Sequence, residues 1–448
     1  MMTDTSVRDL PSLRRSISGA VIEPRDDDYD EVRAAYAATG TPALIVQPDS
    51  PEGVAAAIGF VRANGLAVDV RSGGHGIFGT NTDGLVIDLR RFDGIEVLGE
   101  PPGGRLVRLG SGATWGVVAD ALSGHGLALS SGDTRSVGVG GLTLGGGIGW
   151  MVRRHGLAFD SLVGAEIVTA SGDIVHASED EHADLFWAIR GGGGNFGVVT
   201  RFTFAAHPLA GIVAETINFG LDDLREVLTG WRDIVRTAPE ELTTTFLAMP
   251  DFGEIPAGVQ ILCCYGGTEE DAAMAAIAPL LDLPGMRGHD VGPRAYPDIL
   301  EDAMHPEGIT LVGQNGFAPD LSDGLLDAAA AMYREMVGSV LMVRSLSGEF
   351  NRVHPDATAF AFRNSEALVI SAAFLPEDAP DAAVQRIRDL WMPVMPHLRG
   401  AYGNFMDATG PDAIAALYPP ATRARLTAVK HEYDPANVFR LNQNIAPG

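Results

Sequence analysis

The sequence predicts an α+β protein made of two unlike units, and three observations carry that prediction. Residues 20–205 alternate short helix-like and strand-like segments separated by glycine turns. After His207-Pro208 the texture changes to longer strands alternating with amphipathic helices, the pattern of an antiparallel sheet covered by helices on one face. From Tyr402 onward glycine, asparagine and aromatic residues return, so the last segment is expected to rejoin the first unit. The expected divisions are 1–207, 208–400 and 401–448, and 448 residues suffice for two sizeable cores.

In the first unit, Pro42 to Gln47 reads as a strand. Ser50 then caps a helix with Pro51 at its first position and Gly65 just past its end. Leu66 to Val70, Leu85 to Leu89 and Leu106 to Leu109 are strand-like, and Thr114 to Ser123 is helical. Ala165 to Thr169 and Ile174 to His176 flank Ala-Ser-Gly-Asp, a hairpin signal, and Phe196 to Phe204 is a further strand. In the second unit, Leu224 to Val235 and Glu269 to Leu281 carry helical periodicity. Leu242 to Met249, Val259 to Tyr265, Val340 to Ser347 and Ala367 to Phe374 are strand-like.

Composition excludes several classes. A net charge of −26 repels phosphate backbones and anionic lipid, so neither nucleic acid nor a membrane is expected as a partner. Lys430 is the only lysine and follows Val429, which rules out a Gly-Lys-Ser/Thr phosphate loop. The two cysteines, Cys263 and Cys264, sit side by side in Gln-Ile-Leu-Cys-Cys-Tyr, without disulfide-framework or metal-ligand spacing. They read as small buried hydrophobes of a strand, and no metal site is expected. Few thiols, no leader-like apolar run and no long uncharged apolar stretch lead us to expect a cytoplasmic protein.

Three segments concentrate purposeful glycines: Val70-Arg-Ser-Gly-Gly-His-Gly76, Gly138 to Gly149 with seven glycines in twelve residues, and Gly191-Gly-Gly-Gly-Asn-Phe-Gly197. Glycine lets backbone amides converge into a cradle for an anion such as pyrophosphate. Plain turn chemistry in a β-rich unit is the alternative. Gly-x-Gly-x-x-Gly occurs at Gly74/Gly76/Gly79 and at Gly192/Gly194/Gly197, but strand-like residues follow each, so neither opens the helix a dinucleotide fingerprint needs.

These residues resemble the berberine-bridge-enzyme-like group of FAD-linked oxidases. The likeness rests on Arg-Ser-Gly-Gly-His75-Gly, on Ser136 to Gly147, on His155-Gly-Leu-Ala-Phe-Asp160 through Thr200, and on Tyr433-Asp-Pro-Ala-Asn-Val-Phe-Arg-Leu-Asn442-Gln-Asn444. Residues 210–395 match only loosely. The resemblance implies a PCMH-type FAD-binding domain of two α+β subdomains and a substrate domain with a large antiparallel sheet. It implies oxidation of a small alcohol, sugar or amine at a CH–OH or CH–NH group, with oxygen as the electron acceptor.

The same resemblance implies that FAD is bonded through its 8α-methyl to His75. It carries cofactor contacts to Arg71, Ser72, Gly73, Gly74 and Gly76, and to Val137, Gly138, Gly140, Gly141, Gly145, Gly146 and Gly147. Asn195, Gly197, Val198, Asn404, Asn442 and Asn444 join them. Where many members place a second, cysteinyl link, this chain has Thr134, so a single link is expected. Where several have a second tyrosine, it has Phe405, which leaves the base open: Tyr402 is the candidate, with a packed, hydrogen-bonded core aromatic as its alternative reading. Gln314, Arg344, Asn351 and Arg363 are candidates for the pocket lining. A dehydrogenase using another acceptor, or a non-redox binding protein on the same scaffold, are the competing expectations.

Overall fold

The computed structural model describes residues 9–36, 39–76, 78–99, 105–251, 256–302, 308–406 and 408–448. Among these residues the strands form three sheets, of four, six and seven strands. The four-stranded sheet runs Ala20–Ile22, Leu44–Gln47, Leu85–Asp88, Val68–Arg71 in spatial order, and its last three strands are parallel. Such strands are buried on both faces, which is why residues 44–46 and 85–87 are continuous apolar runs. The helix Pro51–Asn64 covers this sheet. Ser50 accepts from the Gly53 amide at its start, and Gly65 ends it at a φ of 64°.

The six-stranded sheet is built around Val198–Pro208, which pairs antiparallel with Arg105–Gly110 and Leu162–Val168. Leu162–Val168 and Ile174–Ala177 form the expected hairpin. The segment Gly138 to Gly149 differs from a simple loop. Val139–Gly145 is a short helix, because Val139 and Thr143 reach the core while glycines at 140 and 141 leave its other side without side chains.

The seven-stranded sheet is wholly antiparallel. Its order is Met286–Arg294, Ile212–Phe219, Gly258–Tyr265, Leu242–Met249, Ser339–Ser345, Ala367–Pro376, Ile309–Ala318. The two edge strands were not legible as strands. Met286–Arg294 holds two glycines and Pro293, and Ile309–Ala318 holds Gly313 and Gly316, residues that sheets tolerate mainly at edges and irregular positions.

Side chains alternate across this sheet with period two. Val213, Ile217, Phe246, Ile261, Val343 and Val369 face a layer of four helices: Leu224–Val235, Glu270–Leu281, Asp323–Glu335 and Asp381–Trp391. The other face turns toward the glycine-rich part. There Ile212 and Cys264 pack with Trp150 and Met151, and Phe317 and Leu368 join the core of the six-stranded sheet. Residues 401–446 return to that core through Tyr402, Leu417, Leu426, Val429 and Ile445. Among the described residues no helix is long and apolar enough to cross a membrane.

Candidate active site

The His75 loop and the second glycine segment touch backbone to backbone. A Cβ on Gly73 would stand 2.3 Å from the Gly138 amide nitrogen, and one on Gly138 would stand 2.1 Å from that of Gly73. Only glycine at both positions permits this approach. Ser72 pins the crossing by donating to the Ser111 carbonyl, and its hydroxyl also receives the Gly140 amide at 3.3 Å. The loops thus meet with His75 at their junction. Its Nε2 lies 2.9 Å from the Ser136 hydroxyl, and its ring stacks on Tyr36 at 4.3 Å. Burial lowers the imidazole's pKa, partly offset by a hydrogen bond that the ring donates to the Ser136 backbone, which favours the neutral ring at pH 7. The Gly74 carbonyl accepts from the Tyr36 amide, whereas Gly73 and Gly76 are exposed.

Arg71, expected among the cofactor contacts, turns its side chain into the protein. It is 3 % exposed, pairs with buried Asp88 at 2.8 Å, and donates to the carbonyls of Val32, Arg33 and Ala34. Its guanidinium is occupied in shaping the chain beneath the loop.

The far end of the helix Val139–Gly145 meets the C-terminal segment. Gly147, at a φ of 87°, turns its amide onto the Tyr402 hydroxyl oxygen at 2.9 Å, and Asn404 Nδ2 donates to the same oxygen at 2.9 Å. A Cβ on Gly145 or Gly146 would strike Asn404 or the Tyr402 ring. Tyr402 is 2 % exposed, and burial holds its pKa up at about 12 against these donors. It is therefore a phenol at neutral pH. Phe405 stands edge-on to it at 5.1 Å and is 48 % exposed. Asn315, which sequence reasoning missed, fixes this turn: its Oδ1 accepts from the Tyr402 amide at 2.6 Å, and its Nδ2 donates to the carbonyls of Tyr402 and Phe405.

The third glycine segment joins the same assembly, because the Gly191 amide donates to the Leu144 carbonyl at 3.0 Å. Asn195 is buried and ties this turn to the C-terminus. Its Nδ2 donates to the Gln443 carbonyl, and its Oδ1 accepts from the Ile445 amide. Gly197 and Val198 start the following strand against Val168. Lys430, fully buried, donates to the carbonyls of Asn195 and Phe439 and to Asp434. That clamp fixes the stretch bearing Asn442 and Asn444. Val137 packs partly buried against the six-stranded core.

Several atoms are placed for a polar, extended cofactor. The buried oxygens of Thr143, Asn442 and Asn444 have no protein partner. A Cβ on Gly141 would meet nothing within 4 Å, and one on Gly194 only Asn442 at 3.7 Å. Glycine-walled room beside unpaired amide oxygens fits a flavin dinucleotide. Thr134 offers no thiol. Cys263 and Cys264 are buried, and burial raises both pKa values, that of Cys264 to about 12, so neither is poised to react.

The suggested pocket residues fare differently. Gln314 faces the helix layer, donating to the Ile387 carbonyl, and Asn351 accepts from the Ser365 amide. Arg363 makes a buried bidentate pair with Asp160 at 2.7 and 2.9 Å, ringed by Phe159, Phe350 and Phe360. Arg344 pairs with Asp133 through both oxygens and lies 4.5 Å over the Trp150 ring, next to Thr134.

Two glycine-cradling sheets, an imidazole at their junction and a third sheet closing over Tyr402 define the architecture of an FAD-binding oxidoreductase. Comparison with known proteins agrees. Residues 42–178 match the model for the FAD binding domain, and residues 401–446 match that for berberine and berberine-like proteins. The chain is 31 % identical to (R)-6-hydroxynicotine oxidase of Paenarthrobacter nicotinovorans, covering 96 % of this chain and 97 % of that one. It is 30 % identical to an FAD-linked oxidoreductase of Dictyostelium discoideum, covering 96 % and 95 %. The crystal structure of 6-hydroxy-D-nicotine oxidase from Arthrobacter nicotinovorans superposes with a TM-score of 0.86 at 28 % identity, covering 97 % and 99 %. The chain belongs to the berberine-bridge-enzyme-like family of FAD-linked oxidoreductases.

Proposed function

We propose that this protein is an oxidase that carries FAD on a single covalent bond to His75, oxidises a small organic alcohol, sugar or amine, and passes the electrons to oxygen. The observation that carries the reading is the neutral imidazole of His75 at the crossing of two glycine loops, with Nε2 engaged by Ser136 at 2.9 Å. With that nitrogen held, Nδ1 is the one we assign to the link. The bound flavin supplies the two-electron acceptor that no side chain provides.

In this reading Gly138, Gly140, Gly141, Gly145, Gly146 and Gly147 line the cofactor with bare backbone, and Asn442 and Asn444 turn their unpaired oxygens to it. Thr134, which carries no thiol, supports a single bond over a second, cysteinyl one. Tyr402 acts as a phenol. Gly147 and Asn404 occupy its oxygen as donors, which leaves its own proton to be given to the substrate heteroatom, so its role is to orient rather than to deprotonate. Oxygen as acceptor is supported by relatives named as oxidases, such as xylooligosaccharide oxidase of Thermothelomyces thermophilus, and by the modest side chain of Val137. The working partners are then a small molecule and oxygen, with no nucleic acid or membrane, and two buried free thiols suit the reducing cytoplasm.

The test is spectral. The purified protein should be yellow, keep its colour through acid precipitation, and release peroxide with a substrate. His75→Ala should shed the flavin on denaturation. Colour retained by that variant would place the bond elsewhere, and a colourless protein that takes up no FAD would remove the oxidase reading.

A further inference from the structure

The register of the seven-stranded sheet places one row of side chains across six strands on the face turned toward Tyr402. The row runs Asn218, Gln260, Leu247, Met342, Ile370, Asn315, each paired with the next. Its two ends are polar and already satisfied: Gln260 donates to Asn218 at 3.0 Å, and Asn315 accepts from the Tyr402 amide at 2.6 Å. The middle is aliphatic. Leu247 and Met342 belong neither to the helix-side core nor to the cores of the glycine-rich part, whereas Ile370 leans on the latter.

The flanking rows differ in character. On one side, cross-strand neighbours Thr245 and Arg344 are buried, and Thr245 Oγ1 and Arg344 Nε lack any protein partner. The charge of Arg344 is spent on Asp133. On the other side lie Val340 and Ala372, and beyond them Leu311, which shares the face of Asn315 and is 49 % exposed. Phe405, similarly exposed, has its carbonyl bonded to Asn315, so the rim next to Tyr402 is apolar.

Resting on the flavoenzyme reading above, we infer that this row is the substrate floor, and that the substrate is an uncharged molecule with a mainly apolar body and one polar group. The body lies on Leu247, Met342 and Ile370, and the polar group meets Thr245 and Arg344. A charged carboxylate gains little there, because Asp133 already neutralises the arginine. An oligosaccharide is rejected for a complementary reason. Its hydroxyls would be stripped of water against three aliphatic side chains with no partners supplied, and the row offers no aromatic platform.

The test uses the full-length holoprotein and measures binding by calorimetry, separately from turnover. The probes are benzyl alcohol, cyclohexanol and 1-hexanol against xylobiose and cellobiose. We expect saturable binding of the alcohols and none of the sugars. Met342→Gln and Leu247→Asn, each checked for an unchanged flavin spectrum, should weaken alcohol binding about tenfold, the loss of most of one buried apolar contact. Sugar binding as tight as alcohol binding, failure of all three alcohols, or unchanged affinity in both variants would overturn the inference. Alcohol binding without flavin reduction would leave it standing while counting against the oxidase reading, so the two are separable.

Discussion

The glycine-rich part and the seven-stranded sheet unit display function in opposite ways. In the first, the site is made of backbone, and a side chain is what must be missing: Gly73 and Gly138 cross at distances no other residue survives. In the second, the site face is made of side chains whose neighbours are set by register, so Leu247 meets Met342 across strands nearly a hundred positions apart in sequence. A backbone site leaves a local signature in composition. A register site leaves none, because each residue is ordinary until its strand is paired.

The contrast can be broken first at the joint between the parts. Asp160 and Arg363 are both buried, and Asp160→Asn strands the guanidinium among three phenylalanines. Thermal denaturation should show a loss of about 3–5 kcal/mol, and a change under 1 kcal/mol would mean the parts do not depend on this pair. Next, Gly138→Val forces side-chain atoms into the His75 loop. We expect about 1–3 kcal/mol lost and weakened flavin incorporation, read from the ratio of visible to ultraviolet absorbance.

A further effect, which grows with acidity, concerns pH. His155 and His207 stack at 3.7 Å, and burial lowers their pKa values from 6.5 to about 3 and about 4. Below pH 6.5 the unfolded chain takes up protons that the folded one refuses. Stability is thus full above 6.5 and declines as pH falls toward 4, by up to roughly 1.4 kcal/mol per pH unit for each of the two histidines. His155→Gln should flatten the dependence of melting temperature on pH, and an unaltered slope would assign the acid loss to other groups. Smallest of all, Gln314→Leu sits on the helix side and should leave substrate affinity unchanged, with stability moved by about 0.5 kcal/mol or less. A tenfold change in KM would show that this side of the sheet reaches the substrate after all.

Legibility followed the same division. The capped helix Pro51–Asn64 and the strand Leu242–Met249 were readable because caps, glycines and apolar period are local signals. Motifs single out His75, Tyr402 and Asn404, but the direction of the Arg71 side chain was not readable, since its partner Asp88 lies on a neighbouring parallel strand. The edge strands escaped because glycine and proline mask an alternating pattern. Gln314 and Asn315 show the limit most sharply. They are consecutive, both amides, and on opposite faces, so only one reaches Tyr402.

The buried clamp at Lys430 has a practical consequence at the surface. Its amine is the chain's sole lysine side chain and is sealed by three acceptors, so every other fixed side-chain cation is an arginine. Acylating crosslinkers, fluorescent succinimidyl esters and lysine-acetylating enzymes therefore find no target on the folded side chains. Coupling to a resin or a probe has to go through the abundant carboxylates instead, and any labelling of Lys430 reports that the C-terminal segment has come undone.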